Sequence, residues 1–344
     1  MSDFAFAPRP LDILSVAVAL PNARLSFAQI RESEALVFDG QLAAMSSTFR
    51  ARVTAELGIE QVAALSETEN SRSLVESAAL SALEQANVLP SELGLILDYS
   101  TIAVDCPEIW SLAHHLQGSL GAGNALALGT RGSGCAGLHL SLLVAQAMMT
   151  THPSLHYVLL AASDRAPSRG RSCLPISIMA DAASAMVLAR ADKKRGALGQ
   201  VRSVVGLQYG KFADILRLSD DRARMLLDVE RFEKHVLPLH FVMLHRALGR
   251  ACNLLDLSPT ALKSYVYPNT TALDRSSIAR GFGVADSDVV GPGPKELGHA
   301  FASDLLINAE GLLNEREPRR RGPSAWLAAG SGFTWGAAIV EVGG

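Results

Sequence analysis

Residues 131–148 read RGSGCAGLHLSLLVAQAM and residues 298–313 read GHAFASDLLINAEGLL. In each, a run of small residues opens into an apolar stretch with helical periodicity. Their surroundings match as well. Upstream of the first lie a helical stretch, SLVESAALSALEQANV (73–88), a Leu-Pro-Ser turn and an apolar run, LGLILDYST (93–101). Upstream of the second lie FVMLHRALGRACN (241–253), the turn LDLSPT and the run LKSYVYPNT (262–270). An apolar strand closes each set, DAASAMVLAR (181–190) and TWGAAIVEV (334–342). Helical stretches alternating with short apolar runs predict an α/β architecture with buried strands. The repetition predicts two similar halves, residues 1–195 and 196–344, joined in the charged stretch ADKKRGALG (191–199), with the two small-residue turns facing each other across the joint.

With 344 residues, 49% hydrophobic and 19% charged, the chain can bury a large core. No run approaches the roughly 18 apolar residues that a membrane span requires. A net charge of −3 gives no basic field for a phosphate backbone, so nucleic acid is not an expected partner. Asp3 and Asp12 stand where a signal peptide would be basic, and Ile13–Leu20 reads as a first strand instead. The four cysteines, Cys106, Cys135, Cys173 and Cys252, lack CxxC spacing and suit a reducing cytoplasm.

Cys135 carries the most specific chemical signal. It follows the apolar run NALALG (124–129), sits among Gly132, Gly134 and Gly137, and precedes the long amphipathic stretch. Strand, tight turn and helix would put its sulfur at a helix N-terminus, where free N–H groups favour thiolate, with room for a thioester to approach. The bland alternative is a small buried cysteine. That alternative suits Cys106 before a proline, Cys173 in an irregular Ser/Arg-rich segment and Cys252 in a helix.

These residues resemble the thiolase fold, and within it the branch similar to ketoacyl-carrier-protein synthase III. GSGCAG matches that family's nucleophile turn, ADAASAMVL its small-residue strand and SGFTWGAAIVE its closing GFTWG strand. The resemblance implies two βαβαβαββ halves in five αβαβα layers, a homodimer, and a cysteine carrying the acyl group as a thioester. It also implies an oxyanion hole from the N–H of Cys135 and the turn holding Ser331 and Gly332. Condensing members add a histidine from a Pro-His-Gln-Ala-Asn loop and an asparagine from a Gly-Asn-Thr-Ser turn.

This chain departs at both places. The first loop reads Tyr267-Pro268-Asn269-Thr270-Thr271, with Asn269 where the histidine belongs; the second reads Gly298-His299-Ala300-Phe301, with a histidine in the asparagine's place. Asp304 follows five residues on, within reach of the imidazole around the start of a helix. Cys135, His299 and Asp304 would form nucleophile, base and orienter. Decarboxylative condensation needs two neutral donors on one carbonyl, whereas a carboxylate-backed histidine suits proton removal from an incoming hydroxyl or amine. The expected activity is therefore acyl transfer to an oxygen or nitrogen nucleophile of a small acceptor in specialised metabolism. The alternatives are a ketoacyl synthase III-type condensation, with Asn269 as one donor, and a non-catalytic thiolase-fold partner subunit.

Members taking coenzyme A carry a Trp/Arg clamp, the Arg in Gly-Ile-Arg. Here Leu57-Gly58-Ile59-Glu60 has a carboxylate there, so the acyl donor is expected on a carrier protein's phosphopantetheine or on coenzyme A held differently, with no permanently bound cofactor. Two basic loops, Arg165/Arg169/Arg171 and Arg316/Arg319–Arg321, read as carrier-protein contacts or as solvated surface. His235, His240 and His245 recur every five residues, off the i, i+4 spacing of zinc helices, so no metal site is expected. There is no GxGxxG or GxxxxGK, and the order histidine then acid disfavours an α/β-hydrolase.

Overall fold

Leu11–Ala19 (β1) is a strand whose residues alternate between two cores: Leu11, Ile13 and Val16 face one cluster of buried side chains, Leu14 and Ala17 another. That two-sided burial marks a strand covered on both faces. The computed structural model describes residues 9–102, 110–167, 170–191, 196–314 and 320–343, with the backbone strand Ser2–Ala5. Cys106, Arg169, Arg316 and Arg319 lie outside the described residues, as do residues 192–195 of the expected joint.

After β1 come Ser71–Ala86 (α1), Leu93–Asp98 (β2), Leu112–Ser119 (α2), Leu126–Gly129 (β3), Gly137–Thr151 (α3), Tyr157–Asp164 (β4) and Ala182–Arg190 (β5). The same succession then repeats: Gly199–Gln208 (β6), Leu237–Asn253 (α4), Ser264–Val266 (β7), Ala272–Phe282 (α5), Val289–Val290 (β8), Asp304–Asn314 (α6), Gly322–Gly330 (β9) and Thr334–Val342 (β10). The strand order β3-β2-β4-β5-β1-β6-β10-β9-β7-β8 is a palindrome in which each half runs 1-5-4-2-3 from the centre. Directions match too: β2 is parallel to β3 and β4, β7 to β8 and β9, while β5 and β10 are antiparallel to their neighbours. At the centre β1 and β6 pair antiparallel, Leu11 with Val201 and Ile13 with Gly199.

Three cores separate five layers. Helices α1 and α2 cover one outer face, with Ala183, Ala185 and Val187 of β5 beneath them. Helices α4 and α5 cover the other. Helices α3 and α6 fill the middle, between Met186 and Leu188 on one side and Trp326 and Val340 on the other. Local sequence explains the elements. In α1, Val75, Ala78, Ala79, Ala82 and Leu83 form one buried stripe; the Asn70 side chain caps the start by accepting from Ser73 N–H at 2.9 Å, and Asn87 closes the end in left-handed conformation.

Several boundaries differ from expectation. The strand LKSYVYPNT stops at Val266, because Pro268 has no N–H to donate to a ladder; Tyr267–Thr270 becomes loop. Helical chain begins well before Phe241: the turn Val229–Arg231 and a π-helical turn, Phe232–Val236, run straight into α4 at Leu237, and Pro238, which has no N–H to give, stands just after the π turn. Cys173 lies in a small hairpin, Ser172–Cys173 against Ser177–Ile178, rather than in irregular chain. An insertion between β1 and α1 pairs Ala23–Ser26 with Gln61–Ala64 around the helices Phe27–Ser33, Ala35–Ala43 and Ser47–Ala55. No helix among the described residues is long and apolar enough to cross a membrane.

The repeated topology determines where chemistry sits. Both small-residue turns leave the carboxyl ends of parallel strands, β3 and β8, and lead into the two central helices. In open α/β sheets that edge is where ligands bind.

Candidate active site

Gly134–Ala136 forms a single 3-10 turn immediately before α3, and Cys135 is its middle residue. Helix α3 has no side-chain cap at its start; the N–H groups of Ala136 and Gly137 are taken by Ser133 O and Gly134 O, which closes the turn around Cys135. The turn is pressed backbone to backbone on the β9–β10 turn. A Cβ on Gly134 would stand 2.4 Å from Ser331 N, and one on Gly330 1.8 Å from Ser133 O. Glycine at both places is a steric requirement. Ser331 lines the same cavity as Cys135, whereas Gly332 packs on Gly132 O outside the lining.

His299 approaches from the other half. Its backbone is tied into the hairpin that carries Cys173: His299 N–H donates to Ile178 O (3.0 Å), and Ala180 N–H donates to His299 O (2.9 Å). Gly298 precedes it at φ +74°, with Val62 and Ile178 leaving no room for a side chain. His299 Nε2 then lies 3.2 Å from Cys135 Sγ, and its Nδ1 lies 2.5 Å from Asp304 Oδ2. Asp304 opens α6 and is fully buried. Its carboxylate also accepts from Ala300 N–H (2.8 Å) and Asn269 N–H (2.7 Å), so three donors fix it. With Nδ1–H donated to Asp304, Nε2 is the nitrogen that addresses sulfur.

Burial disfavours the imidazolium, but the Cys135 sulfur and then Asp304 outweigh it and raise His299 well above its usual range. Burial pushes Cys173 up to about 12 and Cys252 up to about 11, holding both as thiols.

Asn269 stands behind these groups. It is 1% exposed and does not line the cavity; its side-chain oxygen accepts from Asn308 Nδ2 at 3.0 Å, and its own Nδ2 finds no partner. Asn308, overlooked in the sequence, also donates to Tyr267 O at 2.6 Å. Its spacing was the available signal, since i+4 from Asp304 places both on one helix face.

The cavity above Cys135 and His299 has a volume of about 460 Å³ and a mostly apolar wall, including Met179, Phe301, Phe333 and Val53 of the insertion. Phe301 and Phe333, each two residues beyond a central element of the site, both adopt positive φ (52° and 54°). Two cations do not behave as free surface charges. Arg171 forms a bidentate pair with buried Asp181 at 3.1 and 2.8 Å, holding the hairpin beside His299. On the surface, Lys295 pairs with Glu60 at 3.2 Å.

Beneath the cavity Asp164 accepts from Thr101 and Ile102 N–H at 2.7 and 2.6 Å. Burial, against those bonds, pushes it up to about 7. The unfolded chain ionises such a group near ~3.9, so the folded state holds an extra proton in between, and stability falls as pH rises from about 4 to about 7. Asp164→Asn keeps the accepting oxygen without the charge. It is expected to remove that slope, so that the stability difference from wild type moves in favour of the variant as pH rises, checked by urea midpoints at pH 4.5 and 8.

No family model matches the chain, and no curated protein is similar to it. Solved structures are. OleA of Xanthomonas campestris with bound lauric acid and lauroyl-CoA aligns with a TM-score of 0.78 at 18% identity, covering 96% of this chain and 98% of that one. ChlB3, described as an acyltransferase, aligns at 0.77 with 20% identity, over 97% and 98%. The 3-oxoacyl-[acyl-carrier-protein] synthase III of Aquifex aeolicus VF5 aligns at 0.73 with 19% identity, over 96% and 99%. The chain has the thiolase fold of these proteins.

Proposed function

We propose that the protein is an acyltransferase that takes an acyl group from a thioester onto Cys135 and passes it to a hydroxyl or amine. The observation that carries this reading is the continuous line Cys135 Sγ–His299 Nε2–His299 Nδ1–Asp304 Oδ2 at the floor of an apolar cavity.

His299, raised by the Cys135 sulfur and by Asp304, is the acceptor for the thiol proton. The thiolate attacks the donor carbonyl, with the N–H of Cys135 and one from the Ser331–Gly332 turn offered to the oxyanion. As the tetrahedral intermediate collapses, the C–S bond to the donor breaks and His299 protonates the departing thiolate. Acylation removes charge from the Cys135 sulfur, the larger of the two influences that raise His299, so the ring becomes a weaker holder of protons. It can then take the proton of an acceptor O–H or N–H as that atom attacks the acyl carbon. Expulsion of the Cys135 thiolate releases ester or amide and leaves the proton on His299, ready for the next donor.

The acyl donor is a thioester on coenzyme A or on a carrier protein's phosphopantetheine, the lauroyl-CoA bound to OleA being of that class. Condensation is less well served. It calls for two neutral donors on one carbonyl, and Asn269, the second candidate, turns its oxygen to Asn308 and lies off the cavity wall. A non-catalytic partner subunit would have no use for a sulfur 3.2 Å from a buried, carboxylate-backed imidazole.

The test is competition. Acyl-enzyme made with octanoyl thioester is offered malonyl thioester together with small alcohols and amines. Octanoyl ester or amide without carbon dioxide is expected; release of carbon dioxide with a 3-ketoacyl product would establish condensation.

A further inference from the structure

A second polar cluster faces the cavity, and the transfer chemistry does not use it. Tyr267 OH donates to Asp274 Oδ2 at 2.9 Å, Thr270 Oγ1 donates to the same oxygen at 2.7 Å, and His240 Nε2 lies 3.0 Å from Tyr267 OH. Tyr267, Thr270, His240 and Asp274 all line the cavity that holds Cys135. The phenol has one proton and gives it to the carboxylate, so its oxygen accepts from His240 Nε2–H.

Charge in the cluster is one-sided. Burial raises Tyr267 well above its usual range and lowers His240, leaving phenol and imidazole both neutral. Asp274 has no ion pair among the described residues, and its Oδ1 no hydrogen bond. The other permanent charge on the cavity wall, Arg52, is on the exposed helix Ser47–Ala55. Oδ2 is occupied by two donors, and the Asp274 backbone N–H is held by Thr271 Oγ1 at 3.0 Å. The carboxylate is thus fixed in place with one oxygen open to an apolar cavity. A negative charge so placed attracts a cation and repels a phosphate or carboxylate.

We propose that Asp274 is an anchoring site for an ammonium group, and that the acyl acceptor is an amino alcohol or diamine with an apolar body. Its ammonium is held at Asp274 while a hydroxyl or second amine is presented to the acyl group on Cys135. This assignment of acceptor class rests on the acyl-transfer reading; the ammonium site itself does not.

Binding measured without chemistry separates the two. Tyramine, 4-propylphenol and 3-(4-hydroxyphenyl)propionate share a phenolic body and differ in charge. Each is titrated calorimetrically into full-length Cys135→Ala protein, with and without Asp274→Asn. The amide can still accept from Tyr267 and Thr270, so the fold around it is kept. Tyramine is expected to bind at least about tenfold more tightly than 4-propylphenol, with the propionate weakest. Asp274→Asn should erase that advantage and leave 4-propylphenol within about twofold. The ammonium site is overturned if tyramine has no advantage, if its advantage survives Asp274→Asn, or if none of the three binds. Failure of Cys135 to acquire an acyl group would overturn the transfer reading and leave the binding preference standing.

Discussion

Cys135→Ala is expected to abolish covalent acylation and to reduce turnover by a factor on the order of 10⁴ or more, because the acyl group then has no covalent way station. Intact mass after incubation with an acyl thioester should show one added acyl group on wild type and none on the variant. Peptide mapping should place it on the peptide containing Cys135. Cys173 and Cys252 are fully buried and held as thiols, so neither is expected to substitute. An adduct persisting on either one in Cys135→Ala would refute the assignment. The variant should fold normally, since its side chain projects into the cavity rather than filling a core.

The second large effect belongs to the base. His299→Asn is expected to lower acyl transfer by about 10³–10⁴, within the range for loss of a positioned proton carrier. Asp304→Asn should cost less, about 10², since the ring still meets the sulfur in a fraction of its orientations and tautomers. A pH profile tells orientation from bulk damage. Removing the Asp304 charge takes away one of the two influences that raise His299. The imidazolium of Asp304→Asn then loses its proton at lower pH, and the alkaline limb of the acylation rate should move towards neutrality. An unmoved limb with a uniformly lower rate would mean that Asp304 only braces the start of α6.

The fold was legible because it is written twice. Small-residue turns followed by apolar helices, and closing strands such as 181–190 and 334–342, announce the repeat by hydrophobic periodicity. Cys135 was legible from its turn, His299 only through the resemblance that set it in the asparagine's place, and Asp304 through its five-residue spacing from that histidine. Other site residues came from contacts that no local pattern encodes. Asp274 reads as an ordinary first-turn carboxylate, and only the loop Tyr267–Thr270 and the position of α4 turn it towards the cavity. The insertion from Ala23 to Ala64 is matched in the second half only by a shorter one, whose hairpin pairs Leu216–Leu218 with Met225–Leu227, so the repeat could not reveal its three helices. Arg171 read as a carrier-protein contact or solvated surface because its partner, Asp181, lies ten residues on, across the small hairpin. The inward place of Asn269 depends on Asn308, 39 positions distant.

The palindromic sheet bears on how such a site can arise at all. Two identical copies of one half, paired through their first strands as β1 pairs with β6, would present the same turn from both sides, and whatever residue one carried the other would carry too. A sulfur would face a sulfur, or an imidazole an imidazole. Joining the copies in one chain removes that constraint, because each turn can change without its counterpart. On the proposed reading, nucleophile and base would then be a division of labour between two topologically equivalent turns, one that a single chain permits and a symmetric pair of chains does not.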